Sequence, residues 1–176
     1  MKKNLIALVI VSVASLAGIS RANAQVLSKS NSSEYQKNIL ETKNPANELE
    51  AISPRALKNF AGTYKNVTNE SWAKIKDGFS TKFISNDIRT TIYYNKKGDW
   101  VGTVKYYSED KMLHEIRHAV KSKYYDYNII YTQEVETADS EGVPTYVISL
   151  EDETTIKLIR ISAGEMGVWK EYKKTN

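Results

Sequence analysis

Between residue 52 and the C-terminus, the apolar positions switch from helical spacing to alternation, and then make the same switch again. After Ser53-Pro54, the residues Ala56, Leu57, Phe60, Ala61 and Tyr64 recur every three or four positions. Proline at the first helical position loses no intrahelical hydrogen bond, and a preceding serine is a preferred cap. The pattern predicts a short helix ending near Tyr64. From Ser71 to Tyr107 the period falls to two, with breaks at Asp77-Gly78, Asn86-Asp87 and Asn95 to Gly98. Such pairs suit tight hairpin turns because they tolerate positive φ. Four strands are expected. Phe79, Thr81 and Phe83 share one face of a strand, as do Ile88, Thr90, Ile92 and Tyr94 in the next. Trp100, Gly102, Val104 and Tyr106 share one face of the last.

Ser108-Glu109-Asp110 reads as the start of a second helix, with acids where the dipole favours them. Its apolar positions are Met112, Leu113, Ile116, Ala119 and Val120, and it runs to about Lys123. Strands follow over about 127–135, 146–150, 156–161 and 166–172, with a polar loop from Ala138 to Pro144. The order is helix, four strands, helix, four strands. IYYNKKGDWVGTVKYY (92–107) aligns with LIRISAGEMGVWKEYK (158–173) at a constant offset of 66, and FSTKF (79–83) with YVISL (146–150) at 67. This suggests two repeats, about 52–108 and 109–174. The fold class expected is α+β: tandem α-β4 units, each a short antiparallel sheet with a helix on one face.

The chain begins MKKNLIALVIVSVASLAGISRANAQ: two lysines, an apolar run from Leu5 to about Ile19, then Ala22-Asn23-Ala24. That is a secretory signal peptide, with cleavage expected after Ala24 and a periplasmic or secreted product. The remaining 152 of the 176 residues suit one domain over 52–176 behind a polar, flexible segment, 25–51. The absence of cysteine means that no disulfide framework holds the fold. Lys2, Lys3 and Arg21 leave with the signal, so 22 of the 25 basic residues face 21 acidic ones. A balance so near neutral argues against a nucleic-acid partner, which needs a clustered basic excess. No integral membrane segment is expected after cleavage.

With the strands placed, the chain resembles the PepSY-like, or β-lactamase-inhibitor-like, domains of exported bacterial envelope proteins. The residues that carry the likeness are Phe60, Asn66-Val67, Asn69-Glu70-Ser71-Trp72, Gly78-Phe79, Phe83, Tyr94 and Gly98-Asp99-Trp100, then Tyr124, Tyr146-Val147 and Gly164. It covers about residue 52 to the C-terminus. It implies a tandem helix-plus-sheet fold in the cell envelope and, by analogy, inhibition or protein binding. Its pattern holds no catalytic residues to carry over, and fold does not fix function.

The second helix spells His114-Glu115-Ile116-Arg117-His118, the HExxH pattern of zinc hydrolases. Such a site needs both imidazoles facing a cleft, a glutamate near the zinc-bound water and a third ligand. At about 100° per residue, Met112, Leu113, Ile116, Ala119 and Val120 gather on one side. His114 and His118 fall on the other, beside Lys111 and Lys121. No third ligand is recognisable. The helix is expected to cover the sheet with its histidines in solvent, and no cofactor is expected. A zinc hydrolase using His114, Glu115 and His118 is the alternative.

Tyrosine doublets at 93-94, 106-107 and 124-125 put one ring on each face of a strand. If Tyr94, Trp100 and Tyr106 face the helix, then Arg89, Tyr93, Lys105 and Tyr107 face outward, and Trp169 is their counterpart in the second unit. Exposed Tyr and Arg are favoured in protein-binding surfaces, and the same side chains equally suit ordinary cross-strand pairing on a half-covered sheet. Glu151-Asp152-Glu153 lacks the spacing of a calcium loop and reads as a solvated turn. Three sequons, at Asn31, Asn66 and Asn69, carry little weight in a bacterial-looking exported chain. The reading is a non-catalytic exported module that contacts a protein or peptide through an uncovered sheet face.

Overall fold

The computed structural model describes residues 51–175. The signal peptide expected over 1–24, and all but Ala51 of the segment 25–51, lie outside the described residues. Helix α1 (Pro54–Thr63) is followed by strands β1 (Thr68–Ile75), β2 (Gly78–Ser85), β3 (Ile88–Asn95) and β4 (Trp100–Tyr107). A 3-10 turn (Glu109–Lys111) leads to helix α2 (His114–Lys123), and then come β5 (Asn128–Thr137), β6 (Thr145–Glu151), β7 (Thr155–Ser162) and β8 (Glu165–Lys173).

All eight strands form one antiparallel sheet in the order β1 to β8. This corrects the expectation of two short sheets. β4 and β5 pair directly from Gly102↔Thr137 to Tyr107↔Thr132, so the two halves share a continuous backbone ladder. The hairpin turns fall where the sequence placed them. Asn86 and Asp87 both take positive φ (51° and 64°), the conformation whose twist matches a two-residue hairpin.

Both helices cover the same face. α1 buries Ala56 and Phe60, which pack with Ile52 against Trp72, Phe79, Phe83, Ile92 and Tyr94. Phe60 meets the rings of Trp72 and Phe83 edge-on at 5.5 and 5.3 Å, a favoured aromatic geometry. A second cluster joins Val120 and Tyr124 to Ile129, Tyr146, Ile148, Leu150, Ile159 and Ile161. Ser53 stands at the start of α1 but does not cap it. Its Oγ instead lies 3.4 Å from the Lys97 carbonyl in the β3–β4 turn, which it ties to the helix.

α2 is shorter than its apolar pattern. Met112 is extended, and the stretch before it is the 3-10 turn. Leu113 is half-exposed and Ala119 exposed, so neither packs on the sheet as expected. Only Val120 is buried within α2, and Met112 and Ile116 pack against the cluster partly covered. Glu109 accepts from Arg117 at 2.7 Å, bridging the turn to the helix.

Candidate functional site: the open face of the sheet

Paired residues in an antiparallel ladder share a face, so the register sorts every strand position. The faces are fixed at β4 by a bulge. Tyr94 pairs with Trp100 and Tyr93 with Gly102, leaving Val101 inserted. An inserted residue reverses the alternation beyond it. Trp100 therefore shares the helix-covered face with Thr103, whose Oγ1 accepts from its indole nitrogen at 3.0 Å despite the odd spacing. Lys105 and Tyr107 follow on that same covered face, whereas Val104 and Tyr106 turn to the open one.

This corrects the expected outward set. Arg89 and Tyr93 do lie on the open face, paired to Tyr106 and Gly102. Lys105 and Tyr107 do not. They meet Glu134 on the covered face, in the polar seam between the two helix-covered clusters. Lys105 Nζ lies 2.7 Å from Glu134 Oε1, and the Tyr107 hydroxyl donates to Oε2 at 2.7 Å. Burial, then the bond to Glu134 and its charge, push the Tyr107 phenol far above its ordinary pKa. Tyr107 is buried rather than a contact residue. Trp169 is the residue inserted at a bulge in β8, between the pairs Ile159↔Val168 and Leu158↔Lys170, with the Lys170 ammonium over its ring at 5.1 Å.

The open face has its own apolar centre where β3, β4 and β5 meet. Val104 and Val135 are buried there, with Tyr93 and Tyr106 packed against them. The Arg89 guanidinium stacks over the Tyr106 ring, 4.7 Å from its centre. Gln133 Nε2 donates to the Tyr106 hydroxyl at 2.8 Å. Burial raises the Tyr106 pKa, helped by Tyr93 and opposed by Arg89 and Gln133. Held this way, the Tyr106 phenol stays neutral and a donor, with a cation fixed above it. That geometry sets a donor and a cation side by side over an apolar floor. Sequence reasoning missed Tyr106 because the bulge reversed the faces, and Gln133 because its partner lies on a distant strand and leaves no local signal.

His114 and His118 stand on the exposed side of α2, ring centres 6.2 Å apart and nearly parallel. Among the described residues, no three histidine or acidic side chains come together as a metal site would need.

No family model matches the sequence, and no curated protein is similar to it at the level of sequence. The chain is similar to a DUF2874 family protein from Bacteroides ovatus, with a TM-score of 0.55 and 16% identity over 69% of this chain and 87% of that one. A BLIP-like protein from Bacteroides fragilis aligns with a TM-score of 0.55 and 15% identity over 77% and 91%. A candidate periplasmic protein from Bacteroides eggerthii aligns with a TM-score of 0.53 and 15% identity over 69% and 88%. At such identities the likeness is one of fold. The chain thus has a BLIP-like, PepSY-like α+β fold, as the aromatic and glycine pattern implied. Among the described residues, no helix is long and apolar enough to cross a membrane.

Proposed function

We propose that this chain is a non-catalytic exported binding module that contacts a protein or peptide through the open face of its sheet. The observation that carries the reading is the Arg89–Tyr106–Gln133 stack with Tyr93, set over buried Val104 and Val135 on the face that neither helix covers. Preorganised Tyr and Arg over an apolar base bind with little loss of side-chain entropy on contact. The BLIP-like fold supports the reading, because a BLIP-like neighbour shares this sheet architecture. Export rests on the leader at residues 1–24, and the shared order of the two halves supports an origin by duplication. Trp169 belongs to the same proposal as an edge contact, whereas Lys105 and Tyr107 hold the seam.

The test is cross-linking in the envelope followed by partner identification, repeated with Arg89→Glu and Tyr93→Ala. Loss of one specific partner in both variants, with folding intact, supports the surface. Unchanged capture removes it.

A further inference from the structure

The open face continues from Gln133 across β6 and β7 into a hollow of about 200 Å³ under the β5–β6 loop. Three valines wall it: Val135 on β5, Val147 on β6 and Val143 on the loop, the last more than half exposed. Arg160 of β7 stands at its edge, exposed and with no hydrogen bond or ion pair among the described residues. Gln133 lines its inner end and is wholly buried. One end of its amide serves Tyr106, and its Oε1 has no hydrogen-bond partner. Buried polar atoms are rarely left so.

We propose that this hollow is the anchor pocket of the binding surface, taking one aliphatic or aromatic residue of a peptide segment that carries an acidic residue beside it. The inference rests on the reading of the open face as a binding surface. Size favours an anchor residue, since pockets for whole small molecules run to about 300–1,000 Å³. The valines supply an apolar wall. A peptide amide entering beside Gln133 satisfies its free end, whichever way that amide is turned, because a peptide link carries both donor and acceptor. The sign of the neighbouring residue follows from charge. Lys82, Arg89, Arg160 and Lys170 all project from the open face by register, against Glu165 at the start of β8 and Glu151 at the end of β6, the latter paired with Lys174. Asp139 is the one acid lining the hollow, so the partner's carboxylate sits at the β7 side against Arg160. Tyr106, bonded to Gln133 and stacked under Arg89, makes the pocket continuous with the Tyr93 patch.

A library of random short peptides displayed on phage, panned on the mature protein, tests this. Peptides pairing Asp or Glu with an adjacent large apolar residue are expected to be enriched. Synthetic copies, followed by fluorescence anisotropy, are expected to bind Arg160→Glu and Val143→Asp about tenfold more weakly or worse. Exchanging the peptide's acid for lysine is expected to restore binding to Arg160→Glu. Both positions are exposed, and circular dichroism checks that the variants fold. Binders that lack an acid, or that ignore both variants but are lost with Tyr93→Ala, overturn the pocket and leave the open-face reading standing. No binders, or binders indifferent to all three changes, overturn both.

Discussion

The Tyr107 hydroxyl and the Lys105 ammonium hold the two oxygens of Glu134, each at 2.7 Å, across β4 and β5, the strand pair that joins the two halves of the sheet. Neither helix-covered cluster includes these residues, so the seam relies on this polar bridge on one face and on Val104 and Val135 on the other. Removing one partner of a charge-assisted bond costs about 1.5–3 kcal/mol, more than a neutral bond. Tyr107→Phe is expected to lower unfolding stability by about that much in a urea titration. Glu134→Leu is expected to cost at least as much, since it strands both a buried hydroxyl and a half-covered ammonium. A loss under about 0.5 kcal/mol for both, the range of ordinary surface changes, would show that the seam does not depend on the bridge.

Gly98 lets the β3–β4 turn come close to the backbone of α1. It is buried at φ +84°, and a Cβ there would lie 2.3 Å from Ser53 Oγ and 2.9 Å from the Ala56 nitrogen. The serine could rotate away, but the helix backbone could not. The left-handed conformation alone costs a non-glycine residue about 1–2 kcal/mol. Gly98→Ala is therefore expected to destabilise by about 2 kcal/mol or more. By contrast, Gly164→Ala, also at positive φ (80°) but with open space around it, is expected to cost only the backbone term. Comparing the two variants by thermal unfolding separates close approach from conformation.

The element order, the turn positions and the first core were legible because each rests on local signals. Pro54 starts α1, Asn86-Asp87 turns β2 into β3, and Phe79, Phe83, Ile92 and Tyr94 alternate without interruption. The sidedness of β4 was not. The strand reads as unbroken alternation, and Val101 is an ordinary strand residue. Gly102 was the available signal, since an interior strand glycine often marks a bulge or a close backbone approach. A Cβ there would lie 2.8 Å from the Glu136 carbonyl oxygen. One inserted residue exchanged Tyr106 for Tyr107 on the candidate surface. The β4–β5 pairing was equally invisible, because a ladder between residues about thirty positions apart leaves no local trace. The late start of α2 was not legible either, because Glu109 and Asp110 lie in a 3-10 turn that the extended Met112 separates from the helix.

Stability is expected to fall in alkali as the buried phenols ionise. Burial, with a smaller contribution from Tyr64, pushes Tyr94 up to about 12 from 10.0, and Tyr107 moves the same way. The folded state holds these protons more tightly than the unfolded chain. The contribution of Tyr94 is complete below pH 10 and is lost as pH rises through 12, and that of Tyr107 is lost at still higher pH. Tyr94→Phe removes a hydroxyl that donates to Asn59 Oδ1 at 3.1 Å, at a cost of about 0.5–1.5 kcal/mol near neutrality. It is expected to flatten the alkaline fall, followed by tyrosinate absorbance together with circular dichroism. In acid the sign reverses at Asp152, held down to about 2 chiefly by the amides of Thr154 and Thr155 and by Tyr127. Its contribution is complete above pH 3.8 and is lost as pH falls through 2, so Asp152→Asn is expected to remove that acid dependence.

The histidine pair separates a binding module from a metal-dependent hydrolase. His114 and His118 occupy the exposed side of α2, and no acidic side chain completes a three-ligand set with them among the described residues. A solvated pair at this spacing binds divalent metal weakly, because two neutral imidazoles displace few waters and nothing shields the ion. The double variant His114→Ala, His118→Ala is expected to change unfolding stability by no more than about 0.5 kcal/mol, as ordinary surface substitutions do. Elemental analysis of the purified protein is expected to find zinc well below one equivalent, and chelator is expected to leave the melting temperature unchanged. One tightly held equivalent of zinc, lost in the double variant together with a chelator-sensitive hydrolysis of casein, would make α2 the catalytic element.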